Sequence, residues 1–336
     1  MRLGAILAIA FLCYTYIIEG DYESAELHCQ ALAKLAPSHL HRVPDTAWQL
    51  IISVDMYLTT VRMRAPSMPY HMHEDFRTLY FYNPNETIVK ATRDNLTTFP
   101  VGLVFSEARA SRTKRLVQGI HGLAHAQARF DISWNAPWAN IYDVSYVLAQ
   151  LQMEVEQQGS MEEQIIVVSC QMQLFGMMTV FCEQTDLQDQ LLHRFEQAIA
   201  STDPSDLCNR WLERTGSLDW LLWALCNAGV SVLQLTGCHS LATEPLPEWL
   251  QPAVEYILEH LQLTQPEELR ARLQKMPYTD IWNGRACQSV PVWSNTGIAT
   301  PPQESRESDP SYSHATSSKF ERLRKYSDYW LATRSC

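Results

Sequence analysis

Glycine is scarce in this chain: 12 of 336 residues, about half the usual share of roughly 7%. Tight hairpins and phosphate-cradling loops need glycine at positive φ. The scarcity weighs against an all-β fold and against a nucleotide-cradling one. No G-x-G-x-x-G or Walker loop exists to hold nucleotide phosphates. No G-x-S-x-G elbow exists to present an activated serine. No C-x-x-C or C-x-C pair exists, which excludes a thiolate zinc site with short ligand spacing. Positive charge is also short. Lys and Arg total 26 against 37 Asp and Glu, for a net charge of −11. A freestanding nucleic-acid binder usually carries a net basic footprint, and this chain does not.

What is present suits a folded globular protein. Hydrophobic residues make up 46% of the chain, a normal fraction, and its length allows one large domain or two ordinary ones. Nine cysteines stand at 13, 29, 170, 182, 208, 226, 238, 287 and 336. The odd count and apolar neighbours read as buried free thiols in a reducing compartment.

The N-terminus supports two readings. Arg2 precedes an apolar run from Leu3 to Ile18, as in a secretory signal, and the sequons at Asn85 and Asn95 would fit secretion. The run is about 16 residues, short of the roughly 20 that a spanning helix needs. Bulky Ile18 is also a poor residue for a cleavage site. The other reading is a core helix. Gly20-Asp21 makes a turn and an N-cap, Tyr22 to Leu35 is amphipathic, and Pro37 stops it. The pair is then a helical hairpin with the apolar helix as its inner member.

Helical patterns continue along the chain. They cover Thr46 to Met63, Ser106 to Phe130, Tyr142 to Gln157, Glu162 to Cys182, Leu187 to Ala200, a start at Asp203-Pro204, Leu218 to Leu235, Pro247 to Leu263 and Gln265 to Lys275. Trp134 to Pro137 reads as a break. No run alternates with period two. The expected fold is all-α, with many helices packed in layers, over residues 1–300. Residues 301–318 are Ser- and Pro-rich with almost no aliphatics, so they are expected to be disordered. Residues 319–336 hold a short basic-aromatic segment with Phe320, Leu323, Tyr326 and Trp330 near one face. It is expected to form a tail helix that docks on the domain or binds a partner.

Chemistry-bearing clusters are few. His121 and His125 stand at i and i+4, good metal-ligand spacing, but Gly122 replaces the glutamate of the zinc-protease motif. His39/His41 and His71/His73 lie in proline-flanked segments and read as solvated. Glu162-Glu163 and Glu267-Glu268 open helices, where they favour the macrodipole. Arg109, Arg112, Lys114 and Arg115 form a basic cluster with no interleaved aromatics. It reads as a solvated face or an acidic-partner contact rather than a DNA site. Trp134, Trp138, Trp211, Trp220, Trp223, Trp249, Trp282 and Trp293 read first as core, and second as the lining of an effector cavity.

Three stretches, taken in order, resemble the fungal-specific transcription factor domain, the regulatory region of binuclear zinc-cluster (zinc(2)-cysteine(6)) regulators. The first is LGAILAIAFLCYTYIIEGDYESAELHCQAL, with its Gly-Asp turn, Glu23-Ser24-Ala25 and His28. The second is TAWQLIISVDMYLTTVRMRAPSMPY, with Asp55 followed by Pro66, Pro69 and Tyr70. The third is DWLLWALCNAGVSVL, with the apolar helix Leu221 to Leu225. Ile281-Trp282 and Val292-Trp293 fit the family's C-terminal aromatic pattern. The resemblance implies an all-helical regulatory domain of the fungal type, nuclear location and a role in transcription. It implies partners in the transcription machinery or a DNA-binding regulator, a small-molecule effector among the Trp-rich helices, and possible homodimers.

The family's zinc cluster, basic linker and coiled coil have no counterpart in these 336 residues, and Met1 lies inside what would be a mid-domain helix. The chain is therefore expected to be a truncated gene product or a regulator that does not touch DNA itself. No catalytic, cofactor, metal or DNA-binding residue is assigned, no cofactor is expected, and an enzyme is not. The alternatives are a non-enzymatic helical scaffold and, behind it, a secreted or membrane-anchored helical protein.

Overall fold

Most helices form where the apolar spacing placed them. The computed structural model describes residues 3–35, 45–68, 104–129, 135–177, 185–235, 246–279 and 282–293. These contain α1 (Leu3–Glu19), α2 (Tyr22–Leu35), α3 (Asp45–Arg62), α4 (Glu107–Arg129), α5 (Asn135–Gln158), α6 (Met161–Met177), α7 (Thr185–Ile199), α8 (Pro204–Thr215), α9 (Asp219–Leu235), α10 (Gln251–His260), α11 (Pro266–Leu273) and α12 (Asn283–Trp293). Among the described residues there is no strand. The segments 301–318 and 319–336, the two sequons, His39, His41, His71, His73, Pro69, Tyr70 and Trp134 lie outside the described residues. So do the side chains of Lys114, Arg115, His125, Trp138 and Trp293.

Local chemistry sets the helix ends. Gly20 has φ 78°, and the Asp21 N–H donates to the Tyr16 carbonyl at 2.9 Å, a left-handed C-terminal stop. Asp21 then caps α2 by accepting from the Ser24 N–H at 3.1 Å and hydroxyl at 2.7 Å. Asp203 caps α8 ahead of Pro204, as the sequence predicts. Helix α3 ends at Arg62, one residue short of the Met63 that the sequence pattern gave, but its stop is made by the backbone of Met63 itself. Met63 takes φ 51° without being glycine, and the Arg64 N–H reaches back to the Thr59 carbonyl at 3.2 Å, the same motif.

Helix α9 is the axis of the domain. Every residue from Trp220 to Leu233 is buried, so it is covered all round rather than on one stripe. It packs against α6, α7, α10 and α12. Helix α6 in turn packs on α4, α5 and α7, and the α1–α2 hairpin packs on α3. Trp211, Trp220, Trp223 and Trp282 are all buried, and the Trp220 and Trp223 rings meet edge to face at 5.4 Å. These four are core residues. Trp249 is half-buried and tilts against Phe195.

Three expectations need correction. Helix α1 is not an inner member: it buries Ile6, Ala10, Cys13, Tyr14 and Ile17 on one side, while Phe11 and Leu12 are exposed. Helix α5 starts at Asn135 rather than after Pro137, because proline in a first turn forfeits no intrahelical hydrogen bond. Helix α12 carries Pro291, and the sequence pattern gave no helix there. Tertiary anchoring of its N-terminus accounts for it, as described below. Among the described residues, no helix is long and apolar enough to cross a membrane.

Candidate functional site

Two of the three stretches singled out in the sequence meet at one buried carboxylate. Asp55 on α3 is fully buried. Its Oδ1 accepts from Arg64 Nη2 at 2.9 Å, from the Ser67 N–H at 3.1 Å and from the Cys29 thiol of α2 at 3.3 Å. Its Oδ2 accepts from the Met68 N–H at 2.7 Å. Arg64 also donates to the Ala65 carbonyl and the Ser67 hydroxyl, each at 2.8 Å, and pairs with Glu26 of α2 at 3.2 Å. Burial would lower the Arg64 guanidinium, but the Asp55 and Glu26 carboxylates hold it above its ordinary value. The Cys29 thiol is held far above its usual range by its hydrogen bond with Cys13, by burial and by the Asp55 charge. It therefore stays protonated and donates. The hub ties the Pro66 segment to both α3 and the hairpin.

A second polar cluster gathers at the start of α6, whose first turn carries Glu162 and Glu163. Glu163 takes a bidentate pair from Arg109 of α4, with both contacts at 2.8 Å. It also accepts the Ser160 N–H at 2.8 Å and the Ser106 N–H at 3.2 Å. Glu162 takes Arg210 and Arg214 of α8 at 3.2 and 2.8 Å, and Arg112 pairs with Glu154. Arg109 is thus neutralised by a buried glutamate of α6, which corrects its reading as part of a solvated face, while Arg112 stays part-exposed in its pair with Glu154. The two glutamates do more than favour the macrodipole, since each fastens a neighbouring helix to α6.

Glu163 makes stability depend on pH. Burial pushes its carboxyl up. The hydrogen bonds from Arg109, Ser160 and Ser106, with the Arg109 charge, outweigh this and hold it below the ordinary 4.5. A carboxyl depressed in the folded state contributes stability above its unfolded pKa and loses it as pH falls through the folded value. Glu163→Gln is expected to cost about 1–3 kcal/mol near neutrality. Its urea midpoint should fall less than that of the native chain below about pH 4.5. Parallel midpoint-against-pH curves would sink this assignment.

The interior carries a polar seam that sequence reasoning did not find. Asn227 of α9 accepts from Trp282 Nε1 at 3.1 Å and from Asn283 Nδ2 at 3.0 Å. Asn283 also donates to Gln173 at 2.9 Å and accepts the Thr279 N–H at 2.9 Å. Gln171 of α6 bonds to Gln152 of α5. Arg194 of α7 donates to the Thr60 carbonyl, while its Nη1 has no hydrogen-bond partner among the described residues. Burial lowers the Arg194 guanidinium to about 10, against a small opposing pull from Glu156. A lone Asn inside DWLLWALCNAGVSVL and two Gln inside IIVVSCQMQLF were the available signals, since buried polar groups demand partners.

Among the described residues, no group of three or more His, Cys, Asp or Glu could hold a metal ion. His121 is buried on α4. The carboxylates best placed for acid–base work, Asp55, Glu162 and Glu163, are each occupied by arginine. No known protein family, no curated protein and no solved structure matches this chain.

Proposed function

We propose that the chain is a transcriptional regulator of the fungal type, acting in the nucleus through its helical domain. Its partners are proteins of the transcription machinery or a DNA-binding regulator, and a small effector bound among the Trp-rich helices would tune it. The observation that carries this reading is the Asp55 hub. It makes one structural unit of the hairpin and the Asp-to-Pro segment, the first two stretches on which the resemblance rests, while the third is α9. The acidic balance suits contacts with proteins rather than with DNA. A helical scaffold without enzymatic activity is the alternative, favoured by the engagement of the buried carboxylates in ion pairs. The secreted reading sits poorly with Ile6, Ala10, Cys13 and Ile17 of α1 being core residues.

The test is to fuse the 336 residues to an unrelated DNA-binding module in a fungal cell carrying a matching reporter, and to follow the untethered chain by microscopy. Reporter output should change in either direction, and the untethered chain should concentrate in nuclei. An unchanged reporter with the chain excluded from nuclei would overturn the proposal.

A further inference from the structure

Two thiols meet at the seam of the α1–α2 hairpin. Cys13 of α1 and Cys29 of α2 are both free and fully buried, and they lie in hydrogen-bonding contact. The Cys13 thiol also donates to the Ala25 carbonyl at 3.0 Å. That carbonyl is one turn before Cys29, so the Cys13 sulfur sits against the turn that carries the second thiol. Ala10 and Ala25, about a turn from the two cysteines, are fully buried as well. Small side chains at a seam let two helices approach closely. Groups that handle a proton stand next to the pair. Cys29 donates to Asp55 Oδ1 at 3.3 Å, and Arg64 Nη2 lies 3.6 Å from its sulfur. On the side of α1 away from Cys13, Gly4, Ala8, Phe11 and Leu12 are exposed, so α1 is the wall between this thiol and solvent. Cys226 and Cys287 also influence each other, but Cys226 lies on α9, which is buried along its length.

We infer that Cys13 and Cys29 are a redox-active dithiol, closed to a disulfide within the hairpin by a peroxide-class oxidant. A local opening that lifts α1 from α2 admits the oxidant. Cys13 Sγ attacks one peroxide oxygen, the O–O bond breaks, and the departing hydroxide takes the thiol proton as water. Cys13 is then a sulfenic acid. On reclosing, Cys29 Sγ attacks the Cys13 sulfur and the S–O bond breaks. The Cys29 proton passes by way of Asp55 to the departing hydroxide. Two thiols and one peroxide give one disulfide and two waters. The two sulfurs lose one electron each, and the peroxide oxygens gain both.

The order of the steps follows from the surroundings. Cys29 keeps its proton tightly, so it suits the second step, in which a carboxylate already in contact takes that proton. Holding the two sulfurs together makes this step intramolecular, and it outruns further oxidation of Cys13. Burial slows the first step, and it shields the finished disulfide from reduction in the same way. The disulfide takes one donor from Asp55 and leaves it Arg64, Ser67 and Met68. Oxidation therefore fixes α1 to α2 without dismantling the hub.

The test uses the full, folded chain. The tryptic peptide Leu3–Lys34 contains Cys13 and Cys29 and no other cysteine, so mass spectrometry reads the pair alone. The chain is treated with hydrogen peroxide, unfolded in guanidinium with an alkylating reagent, and digested. Without peroxide the peptide should take two alkyl groups. After peroxide it should take none and weigh two hydrogens less, and dithiothreitol should restore the first result. Asp55→Asn keeps an acceptor for the backbone but removes the proton carrier. It should close more slowly and accumulate Cys13 sulfenic acid, which dimedone traps. A merely loosened hub would instead speed closure. A native peptide that still takes two alkyl groups, gains oxygen atoms or is joined to another peptide overturns the inference. So does an Asp55→Asn chain that closes as fast as the native one. The reporter test reads none of these outcomes, so the two proposals fail separately.

Discussion

Replacing Asp55 by alanine is expected to cost about 3–5 kcal/mol, the largest effect of any single carboxylate change in the described structure. The loss has three parts. The Arg64 guanidinium loses its shorter ion pair while remaining largely buried and keeps only Glu26 at 3.2 Å, and a buried charge stripped of its main partner is costly. The Ser67 and Met68 N–H groups lose their acceptor, each a buried or part-buried donor without a substitute. The Cys29 thiol loses its acceptor as well. The three losses share one partner and will not add as independent terms. Asp55→Asn should cost less, because an amide oxygen can still accept from the backbone. Arg64→Ala in the Asp55→Ala background should cost far less than Arg64→Ala alone, since no charge is then stranded. Urea unfolding of the four proteins measures the cycle. Equal costs for Arg64→Ala in both backgrounds would show that the pair is not coupled. Proteolysis should find the segment after α3 more readily in Asp55→Ala, because the hub is what fastens it.

Much of the helix content was legible because it rests on short-range rules. The Gly20-Asp21 turn, the Asp203 cap and the apolar stripes of α2 and α8 are each written within one turn of chain. The all-α architecture followed from the same spacing. The place where α3 stops was legible to within a residue, but the means was not, because a left-handed methionine carries no mark in its own side chain. Its stability comes from Asp55 eight residues earlier and from two residues of α2. Helix α12 was hidden for the same reason: Pro291 and Gly284 disfavour it locally, while it is held by packing on α11 and α9 and by the hydrogen bond from Asn283 to Gln173 of α6. The nature of α1 was half legible. Its apolar run marked it as part of the fold, but hydrophobicity alone could not tell a helix covered on every side, as α9 is, from one that buries a single stripe. Arginine pairing was the least legible feature, since Arg109 and Glu163 are brought together only by tertiary packing.

Asn227 is the second position where one side chain holds several elements, and Asn227→Leu is expected to cost about 2–4 kcal/mol. The branch pattern of the side chain is kept, but two methyls are bulkier than an amide oxygen and nitrogen, so a steric cost adds to the polar one. Trp282 Nε1 and Asn283 Nδ2 lose their shared acceptor inside the core, and the Ser169 carbonyl loses a donor at 3.4 Å. Each orphaned buried group costs about 1–3 kcal/mol if the structure stays shut. The cheaper response is for the start of α12 to lift away, which caps the loss. Gly176 of α6 tests this from the steric side. A Cβ there would lie 2.5 Å from Cε3 of the Trp282 ring, and an aromatic ring cannot give way as a flexible chain end does. Gly176→Ala should therefore push Trp282 and α12 outward at a cost of about 1–3 kcal/mol. If both substitutions act by detaching the same segment, the double variant should lose clearly less than the sum of the two. The near-ultraviolet signal of the buried tryptophans should fall to the same level in all three variants. Additive costs would mean that α12 stays seated and that the two sites act independently.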